Sequence, residues 1–401
     1  MKHLLSESCK HLNPYEVKKE NPREDGIIPV KMDANESPYP LPKAVLSRGM
    51  ERIRTMDFQL YPDTDSTVLR ASIASFINRF PEEVLVGTGS DEVIQILLNT
   101  FLDSKDVVVS HSPTFPMYGI FTGIQGGTYR KVPSLEGFRV DIDGIIKTAN
   151  EEKAKMIFLC TPNNPTGTII PKEDVIRVLR KTDSIVVVDE AYGEFAEADF
   201  LNLIKDPAFD LDKEELDRLV ILRTFSKAYG MASLRCGFAV GTKKTISFMN
   251  RVKPPYNLNK ITQIFAEEMM EYCKTPEGKA EMDHRIHELT REREKFNDFL
   301  GNLPGMIPYP SESNFICFSR RKTGGKFPGE SPLYLDQRLE EKGFLIKYLF
   351  QDSEHCYYRF SFGLPEENKR FKTALKELIE EYAPAPAEVN APNPGEVKEE
   401  I

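Results

Sequence analysis

A lysine among small and hydroxyl-bearing residues is the first candidate for chemistry in the sequence. Lys227 lies in the run Arg-Thr-Phe-Ser-Lys-Ala-Tyr-Gly, directly after an apolar segment at 219–222 that predicts a β-strand. An amine with apolar neighbours binds its proton less tightly, and the neutral amine is a nucleophile toward carbonyl carbon. A single lysine is nearly always a surface residue. Only the motifs that accompany Lys227 make it a candidate for a functional residue.

A glycine-rich run and an arginine form a candidate anion site. The run Gly-Thr-Gly-Ser-Asp, which contains Ser90 and Asp91, joins a predicted strand to a predicted helix. The first N–H groups of a helix have no partner within the helix and attract anions such as phosphate. Arg235 follows Lys227 by eight residues and is expected to hold the same phosphate together with Ser226. Taken alone, the run is better explained as a tight turn before a helix.

Three more polar residues stand at or near predicted strands. Asn164 lies in the rigid run Thr-Pro-Asn-Asn-Pro-Thr-Gly and is suited to bond a phenolate-like oxygen; the alternative is a polar turn. Asp189 ends an apolar run, where a buried carboxylate needs a positive partner such as a protonated pyridine nitrogen; the alternative is a helix cap. Arg359 interrupts an apolar strand. Pointing inward, it needs a carboxylate or phosphate; pointing outward, it is an edge charge.

The elements that position these residues alternate between strands and helices. This alternation predicts an α/β fold with a mostly parallel sheet, at whose carboxyl edge ligands gather. Beyond residue 305 the pattern changes to α+β, which predicts a second domain. We expect an N-terminal arm and part of the small domain at 1–54, a large domain at 55–258, an interdomain helix with the small domain at 259–382, and a disordered tail at 383–401.

Composition excludes several classes of protein. With 53 basic and 62 acidic residues the net charge is −9, which argues against nucleic-acid binding. We find no signal peptide and no apolar run near the ~20 residues of a membrane helix. The six cysteines are scattered, with neither a disulfide framework nor a metal-site spacing. A cytoplasmic protein without metal is expected.

Taken in order, the motifs GTGSDE, TPNNPTG, VDEAY, TFSKAYG and YRFSFG resemble those of the fold-type I aminotransferases that depend on pyridoxal 5′-phosphate (PLP). The runs at 12–15, 33–39, 60–63 and 253–257 are similar to the histidinol-phosphate aminotransferase group within them. The resemblance extends from about residue 11 to about residue 380. It implies a large domain with a mostly parallel seven-stranded sheet flanked by helices, plus a smaller α+β domain.

The resemblance also implies roles for individual residues. Lys227 is expected to form an imine with PLP and to move a proton between substrate and cofactor. Asp189 would pair with the pyridine nitrogen, Asn164 and Tyr192 would bond the ring oxygen, and Phe115 would stack on the ring. The other expected cofactor-binding residues, most of them around the phosphate, are Ser90, Asp91, Thr224, Ser226, Arg235 and, from a neighbouring subunit of a homodimer, Tyr61.

The expected reaction converts L-histidinol phosphate and 2-oxoglutarate to imidazole acetol phosphate and L-glutamate, in histidine biosynthesis. The expected substrate-binding residues are Tyr15, Asn35, Asn164, Lys347 and Arg359. Members of the group usually have arginine where this chain has Lys347, which weakens the expectation of tight phosphate binding. An aromatic amino acid aminotransferase and an O-phosphothreonine decarboxylase remain alternatives. A PLP-binding transcription regulator is disfavoured. Only about thirty polar residues precede the run at 33–39, which is too few for the winged-helix DNA-binding domain of such a regulator.

Overall fold

The computed structural model describes residues 4–10, 29–197, 199–201, 209–322 and 334–381. Tyr15 and the predicted tail at 383–401 lie outside these ranges. The spacing of the motifs also predicts an unusually long connection at 323–335, of which only the last two residues are described. Within them no helix combines the length and apolar character needed to cross a membrane.

The described chain contains thirteen strands. They are β1 (Val30–Lys31), β2 (Val84–Gly87), β3 (Val107–Ser112), β4 (Thr128–Pro133), β5 (Met156–Cys160), β6 (Ile185–Asp189), β7 (Leu219–Thr224), β8 (Gly237–Val240), β9 (Met306–Pro308), β10 (Phe315–Arg321), β11 (Phe344–Leu345), β12 (Lys347–Gln351) and β13 (His355–Ser361). Seven of them form the large sheet, in the order β2-β8-β7-β6-β5-β3-β4. Only β8 runs antiparallel to its neighbours, so the predicted mostly parallel sheet is confirmed. Strand β4 was not predicted.

Twelve α-helices accompany these strands in the described residues. They are α1 (Lys43–Arg54), α2 (Thr67–Phe76), α3 (Gly89–Phe101), α4 (Met117–Ile124), α5 (Ile142–Glu151), α6 (Lys172–Lys181), α7 (Lys213–Asp217), α8 (Lys243–Met249), α9 (Lys260–Cys273), α10 (Pro276–Gly301), α11 (Tyr334–Glu341) and α12 (Pro365–Glu381). Apolar residues at helical spacing over 260–300, interrupted at 275–278, predict two helices, and α9 and α10 are these two. There the Thr275 side chain accepts a hydrogen bond from the Gly278 N–H, and proline begins the helix.

The central strands are apolar on both faces because helices cover both. On one face Ile157 and Val186 belong to a hydrophobic cluster that includes residues of α5 and α6. On the other face Phe158 and Val187 pack in a cluster with residues of α3 and α4. Continuous apolar runs are what parallel strands buried between two helix layers require.

The smaller sheet is antiparallel, in the order β12-β13-β10-β9, and packs on α10 and α12. The largely apolar run at 344–349 predicts one strand, and this prediction is wrong: the run forms two strands, β11 and β12, separated at Ile346. Strand β11 pairs in parallel with β1, whereas β12 pairs with β13. Two partners on different sheets explain the break. The domain boundaries stay a prediction.

Candidate active site

A cavity of about 460 Å³ opens at the carboxyl ends of the large sheet's parallel strands, beside the smaller sheet. This position and volume are typical of ligand sites in α/β proteins. Of the predicted site residues that the structure describes, all except Tyr61 line it, namely Asn35, Ser90, Asp91, Phe115, Asn164, Asp189, Tyr192, Thr224, Ser226, Lys227, Arg235, Lys347 and Arg359.

Lys227 presents its amine inside this cavity. The Nζ atom donates a hydrogen bond to the Ala34 carbonyl oxygen at 3.1 Å and lies 5.5 Å from the centroid of the Tyr192 ring. Burial, and secondarily the charge of Arg359, lower the pKa of the Lys227 amine to about 8. At pH values just above 7, part of the Lys227 amine is therefore in its uncharged, nucleophilic form.

Asp189 ends β6 and is 3% exposed. Its Oδ2 atom accepts a hydrogen bond from the Tyr118 hydroxyl at 2.6 Å, and its Oδ1 atom accepts one from the Ala191 N–H at 3.1 Å. Burial raises the pKa of the Asp189 carboxyl to about 6, although these hydrogen bonds oppose the rise. The carboxylate is thus ionised at neutral pH and held in one orientation. Tyr118 was not predicted, because no motif marks it.

The anion end of the cavity combines the start of α3 with Arg235. The Arg235 guanidinium contacts the Asp91 carboxylate at 3.1 Å and donates a hydrogen bond to the Ser226 hydroxyl oxygen at 3.4 Å. The Thr224 hydroxyl donates to the same Ser226 oxygen at 3.0 Å. At Gly89 a β-carbon would lie 2.5 Å from Arg235 Nη2, so glycine permits the arginine to approach the helix.

The opposite end of the cavity holds two cations on adjacent strands. Lys347 of β12 lies directly opposite Arg359 of β13, and both line the cavity. Arg359 is 8% exposed and donates hydrogen bonds to Asn164 Oδ1 and to the Asp33 carbonyl oxygen, so it points inward. Like charges directly opposite each other in a sheet repel, which favours binding of an anion between them.

The segment before α1 adds two buried polar side chains to the cavity wall. Asn35 donates a hydrogen bond to the Tyr192 hydroxyl oxygen at 2.9 Å. Asp33, which was not singled out as a site residue, also lines the cavity, and its Oδ1 atom has no hydrogen-bond partner among the described residues. Burial raises the pKa of the Asp33 carboxyl against the charges of Lys31, Lys347 and Arg359. Only its place in the Asp-Ala-Asn-Glu motif pointed to it.

Tyr61 lies outside the cavity. Its ring is 78% exposed and stacks on Tyr256, with the ring centroids 4.5 Å apart. The structure contains one chain, so the expectation that Tyr61 reaches a neighbouring subunit's site stays a prediction.

The groups in this cavity fit PLP. An arginine, two hydroxyls and a helix start suit its phosphate, a buried carboxylate suits a protonated ring nitrogen, and an amine of lowered pKa suits its aldehyde. The half-buried Asn164 amide and the buried Tyr192 hydroxyl are available to the ring oxygen. No group in this set conflicts with that ligand.

The fold and site are those of a class of transferases. The family model "Aminotransferase class I and II" matches residues 27–380, and the chain belongs to this family. A histidinol-phosphate aminotransferase of Thermoanaerobacter sp. strain X514 is 34% identical over 382 residues, covering 94% of this chain and 99% of the relative. One of Ruminiclostridium cellulolyticum is 37% identical over 348 residues, covering 84% and 89%.

A solved structure supports the same fold. The histidinol-phosphate aminotransferase of Sinorhizobium meliloti, in complex with pyridoxal-5′-phosphate, aligns with a TM-score of 0.81 at 23% identity. The alignment covers 95% of this chain and 98% of that chain. The predicted α/β architecture is confirmed.

Proposed function

We propose that this chain is a PLP-dependent aminotransferase that moves the amino group of L-histidinol phosphate to 2-oxoglutarate, in histidine biosynthesis. The products are imidazole acetol phosphate and L-glutamate. The names of the curated relatives support the reaction. The observation that carries the choice of substrate is the pair of cations, Lys347 and Arg359, opposite each other at the end of the cavity away from Arg235.

Bound PLP supplies an aldehyde for the amino group and a ring that withdraws electrons from the substrate α-carbon. Lys227 provides the amine that holds the cofactor in the resting enzyme and then takes and returns the α-proton. Its lowered pKa suits this role, because a base and nucleophile must be neutral near the working pH. The amine lies inside the cavity, within reach of the groups that line it.

The other residues fix the cofactor. Asp189 keeps the ring nitrogen protonated, and Asn164 and Tyr192 bond the ring oxygen. Phe115 forms the wall on one face of the ring. The start of α3 at Ser90 and Asp91, together with Thr224, Ser226 and Arg235, binds the phosphate.

The two cations and the Asn35 segment recognise the substrates. The phosphate of histidinol phosphate in one half-reaction, and a carboxylate of 2-oxoglutarate in the other, occupy the space between Lys347 and Arg359. Arg359 offers a planar fork of donors, whereas Lys347 offers a point charge. The placement of Tyr15 in the substrate pocket remains part of the proposal.

An aromatic amino acid aminotransferase is the second candidate. Phe350 and Tyr348 line the cavity beside Lys347, and Phe350 stacks on Tyr357 with centroids 4.6 Å apart. These rings suit an aromatic side chain, including an imidazole. The carboxylate of an aromatic amino acid, however, brings one negative charge to the two cations, whereas the phosphate of histidinol phosphate brings about −1.5 to −2, which favours histidinol phosphate.

The purified holoenzyme tests the proposal against its alternatives. Initial rates would be measured with histidinol phosphate, phenylalanine and O-phosphothreonine, each with 2-oxoglutarate, together with release of CO₂. We expect the highest kcat/KM with histidinol phosphate and no CO₂. Turnover of phenylalanine without turnover of histidinol phosphate would reject the substrate, and CO₂ release from O-phosphothreonine would indicate a decarboxylase.

Substitution of the lysine tests the chemistry itself. Lys227→Ala is expected to reduce kcat by at least about a thousandfold while the protein stays folded, because the nucleophile and proton carrier are lost together. Lys244→Ala is the matched control, since this lysine is 59% exposed and pairs with Asp217 on the surface. Normal turnover by Lys227→Ala would contradict the proposal.

A homodimer with its sites at the subunit interface, in the cytoplasm, completes the proposal. Three neighbouring residues expose large apolar side chains, Phe58 at 68%, Leu60 at 63% and Tyr61 at 78%. Such a group of exposed rings and aliphatic side chains is typical of an interaction surface. All six cysteines are free thiols, which suits a reducing compartment.

A further inference from the structure

We propose that Tyr118 is a positioning residue that orients the Asp189 carboxylate toward the cofactor's ring nitrogen and supports the aromatic wall formed by Phe115. Tyr118 does not line the cavity and therefore acts through these two residues. The inference rests on the proposed PLP chemistry and deepens it.

The position of the Tyr118 ring is determined by packing. Tyr118 is fully buried on α4 and stacks on Phe158 of β5, with centroids 4.5 Å apart and planes 8° from parallel. Phe115 meets Tyr118 edge to face, with centroids 5.6 Å apart and an 81° interplanar angle. A ring fixed on two sides presents its hydroxyl at one place. The fixed Tyr118 hydroxyl therefore restricts the orientation of the Asp189 carboxylate.

The hydroxyl is also one of few groups that favour the charged carboxylate. The Tyr118 hydroxyl donates to Asp189 Oδ2 at 2.6 Å, a short bond to an anion. The ionisable groups that act electrostatically on Asp189 are Cys160 of β5, Asp91 of α3, Tyr118 of α4, and Tyr192 and Lys227 in the segments after β6 and β7. Cys160 has a pKa raised to about 12 by burial and is neutral, and Asp91 repels the charge. Without the hydroxyl, mainly the Ala191 N–H and Lys227 would stabilise the anion.

This arrangement determines how cofactor binding depends on pH. Burial raises the pKa of Asp189 to about 6 in the empty site, so the carboxylate becomes protonated as pH falls below 6. A protonated carboxyl cannot form an ion pair with a pyridinium, and PLP affinity then falls. Loss of the Tyr118 hydroxyl removes a bond to the charged form and raises the pKa of Asp189 further. The decline in affinity is therefore expected to begin at a higher pH.

The test measures PLP binding to apoprotein from pH 5 to pH 9 for the wild type and Tyr118→Phe. We expect Tyr118→Phe to bind PLP about tenfold more weakly at pH 7, the loss typical of a hydrogen bond to a charged group. We expect its midpoint to lie about one pH unit higher. The titrations of PLP itself are common to both proteins and cancel in the comparison.

A ligand analogue separates orientation of the carboxylate from general packing. In the deaza analogue of PLP a carbon replaces the ring nitrogen, so no ion pair with Asp189 forms. Wild type and Tyr118→Phe are expected to bind this analogue equally. Equal weakening toward PLP and the analogue, or an unchanged midpoint for PLP, would overturn the inference. Failure of the wild type to bind PLP would instead reject the proposed function.

Two further variants complete the design. Tyr129→Phe removes another largely buried hydroxyl that packs against the same hydrophobic cluster without contacting Asp189, and is expected to keep the wild-type midpoint. Tyr118→Leu removes the ring that supports Phe115, and is expected to weaken binding of both PLP and the deaza analogue. If Tyr129→Phe shifts the midpoint as Tyr118→Phe does, the effect is not specific to Asp189 and the inference fails.

Discussion

At the scale of single residues, the Lys227 ammonium is buried in the site, and its charge makes the folded apoprotein less stable. The Lys227 amine has an ordinary pKa of 10.5, and burial lowers it to about 8. Protonation of this amine therefore favours the unfolded chain, in which the ammonium is hydrated. This loss of folding stability accompanies function, because a nucleophile must be neutral near the working pH.

Lys227→Met is accordingly expected to stabilise the apoprotein at pH 7. The destabilisation by Lys227 is absent above its unfolded pKa of 10.5, grows as pH falls from 10.5 to 8, and is complete below about 8. We expect a gain in unfolding free energy on the order of 2–3 kcal/mol at pH 7 and a smaller gain at pH 9. Urea unfolding at the two pH values measures it. Apoprotein destabilised by the substitution at pH 7, or a gain larger at pH 9, would contradict the assigned burial.

At the scale of elements, the phosphate end depends on how closely β8 approaches the start of α3. A β-carbon at Gly237 would lie 2.4 Å from the Ser90 backbone nitrogen. Gly237→Ala must therefore push the helix start away from the sheet, at a typical cost of about 1–3 kcal/mol for overpacking.

Gly237→Ala is expected to lower thermal stability and to weaken PLP binding. Differential scanning fluorimetry and PLP titration measure the two effects. Gly301→Ala is the matched control, because a β-carbon there meets nothing within 4 Å. A Gly237→Ala protein with wild-type PLP affinity would show that the helix start does not bind the phosphate.

The pairing of β12 with β13 fixes the two substrate-end cations. Lys347→Ala is expected to raise the KM for histidinol phosphate about ten- to a hundredfold, the loss of one contact between a cation and a phosphate. Lys347→Arg is expected to lower this KM, because a guanidinium binds phosphate in a bidentate way. Lys342→Ala, which removes a lysine paired with Glu377 on the surface, should leave it unchanged. An unaltered KM in Lys347→Ala would place the phosphate elsewhere.

The sequence predicted the elements that carry motifs better than those that do not. Lys227, Asp189 and Asn164 were found because each follows an apolar run, and the structure brings all three to one cavity. Strand β4 was missed because half of its residues are exposed at the sheet edge, including the charged Arg130 and Lys131. Tyr118 could not be found, because its contact with Asp189 joins residues 71 apart in the chain.

The division of the strand predicted at 344–349 shows that a local sequence pattern does not contain information about strand pairing. Five of the six residues from Phe344 to Leu349 are apolar or aromatic, with Lys347 as the exception. The break at Ile346 arises because β11 pairs with β1, more than 300 residues earlier, while β12 pairs with β13.

The direction of the Arg359 side chain was not determined by the sequence, in which the inward direction was only one of two alternatives. Burial and its hydrogen bond to the Asp33 carbonyl oxygen identify the inward one.

At the scale of the whole molecule, the cavity is assembled from three parts of the chain. The large sheet contributes Asp189 and Lys227, the smaller sheet contributes Lys347 and Arg359, and the segment before α1 contributes Asn35. Each part has a different role toward the proposed ligand, namely cofactor chemistry, anion recognition and the wall between them. A movement of the smaller sheet relative to the large sheet would displace Lys347 and Arg359, the proposed substrate-binding cations, while the cofactor-binding residues of the large sheet stay in place.

A hybrid-dimer experiment tests the proposed contribution of Tyr61 to the neighbouring subunit. Chains carrying Lys227→Ala and Tyr61→Ala, each weakly active alone, would be co-expressed with different tags and the hybrid purified. If Tyr61 acts across the interface, one site of the hybrid is intact and about half the wild-type activity returns. A hybrid of Lys227→Ala and Arg359→Ala is the control, because both residues line one chain's cavity and neither site is intact. No gain with Tyr61→Ala would reject the shared site.

The central claim is that the Lys227 amine condenses with the aldehyde of PLP. Borohydride reduction of the purified holoprotein, followed by peptide mapping, tests this claim most directly. The account predicts a single phosphopyridoxyl group, located on Lys227, and none in the Lys227→Ala protein. A label on another lysine, or no label after incubation with excess PLP, would contradict it.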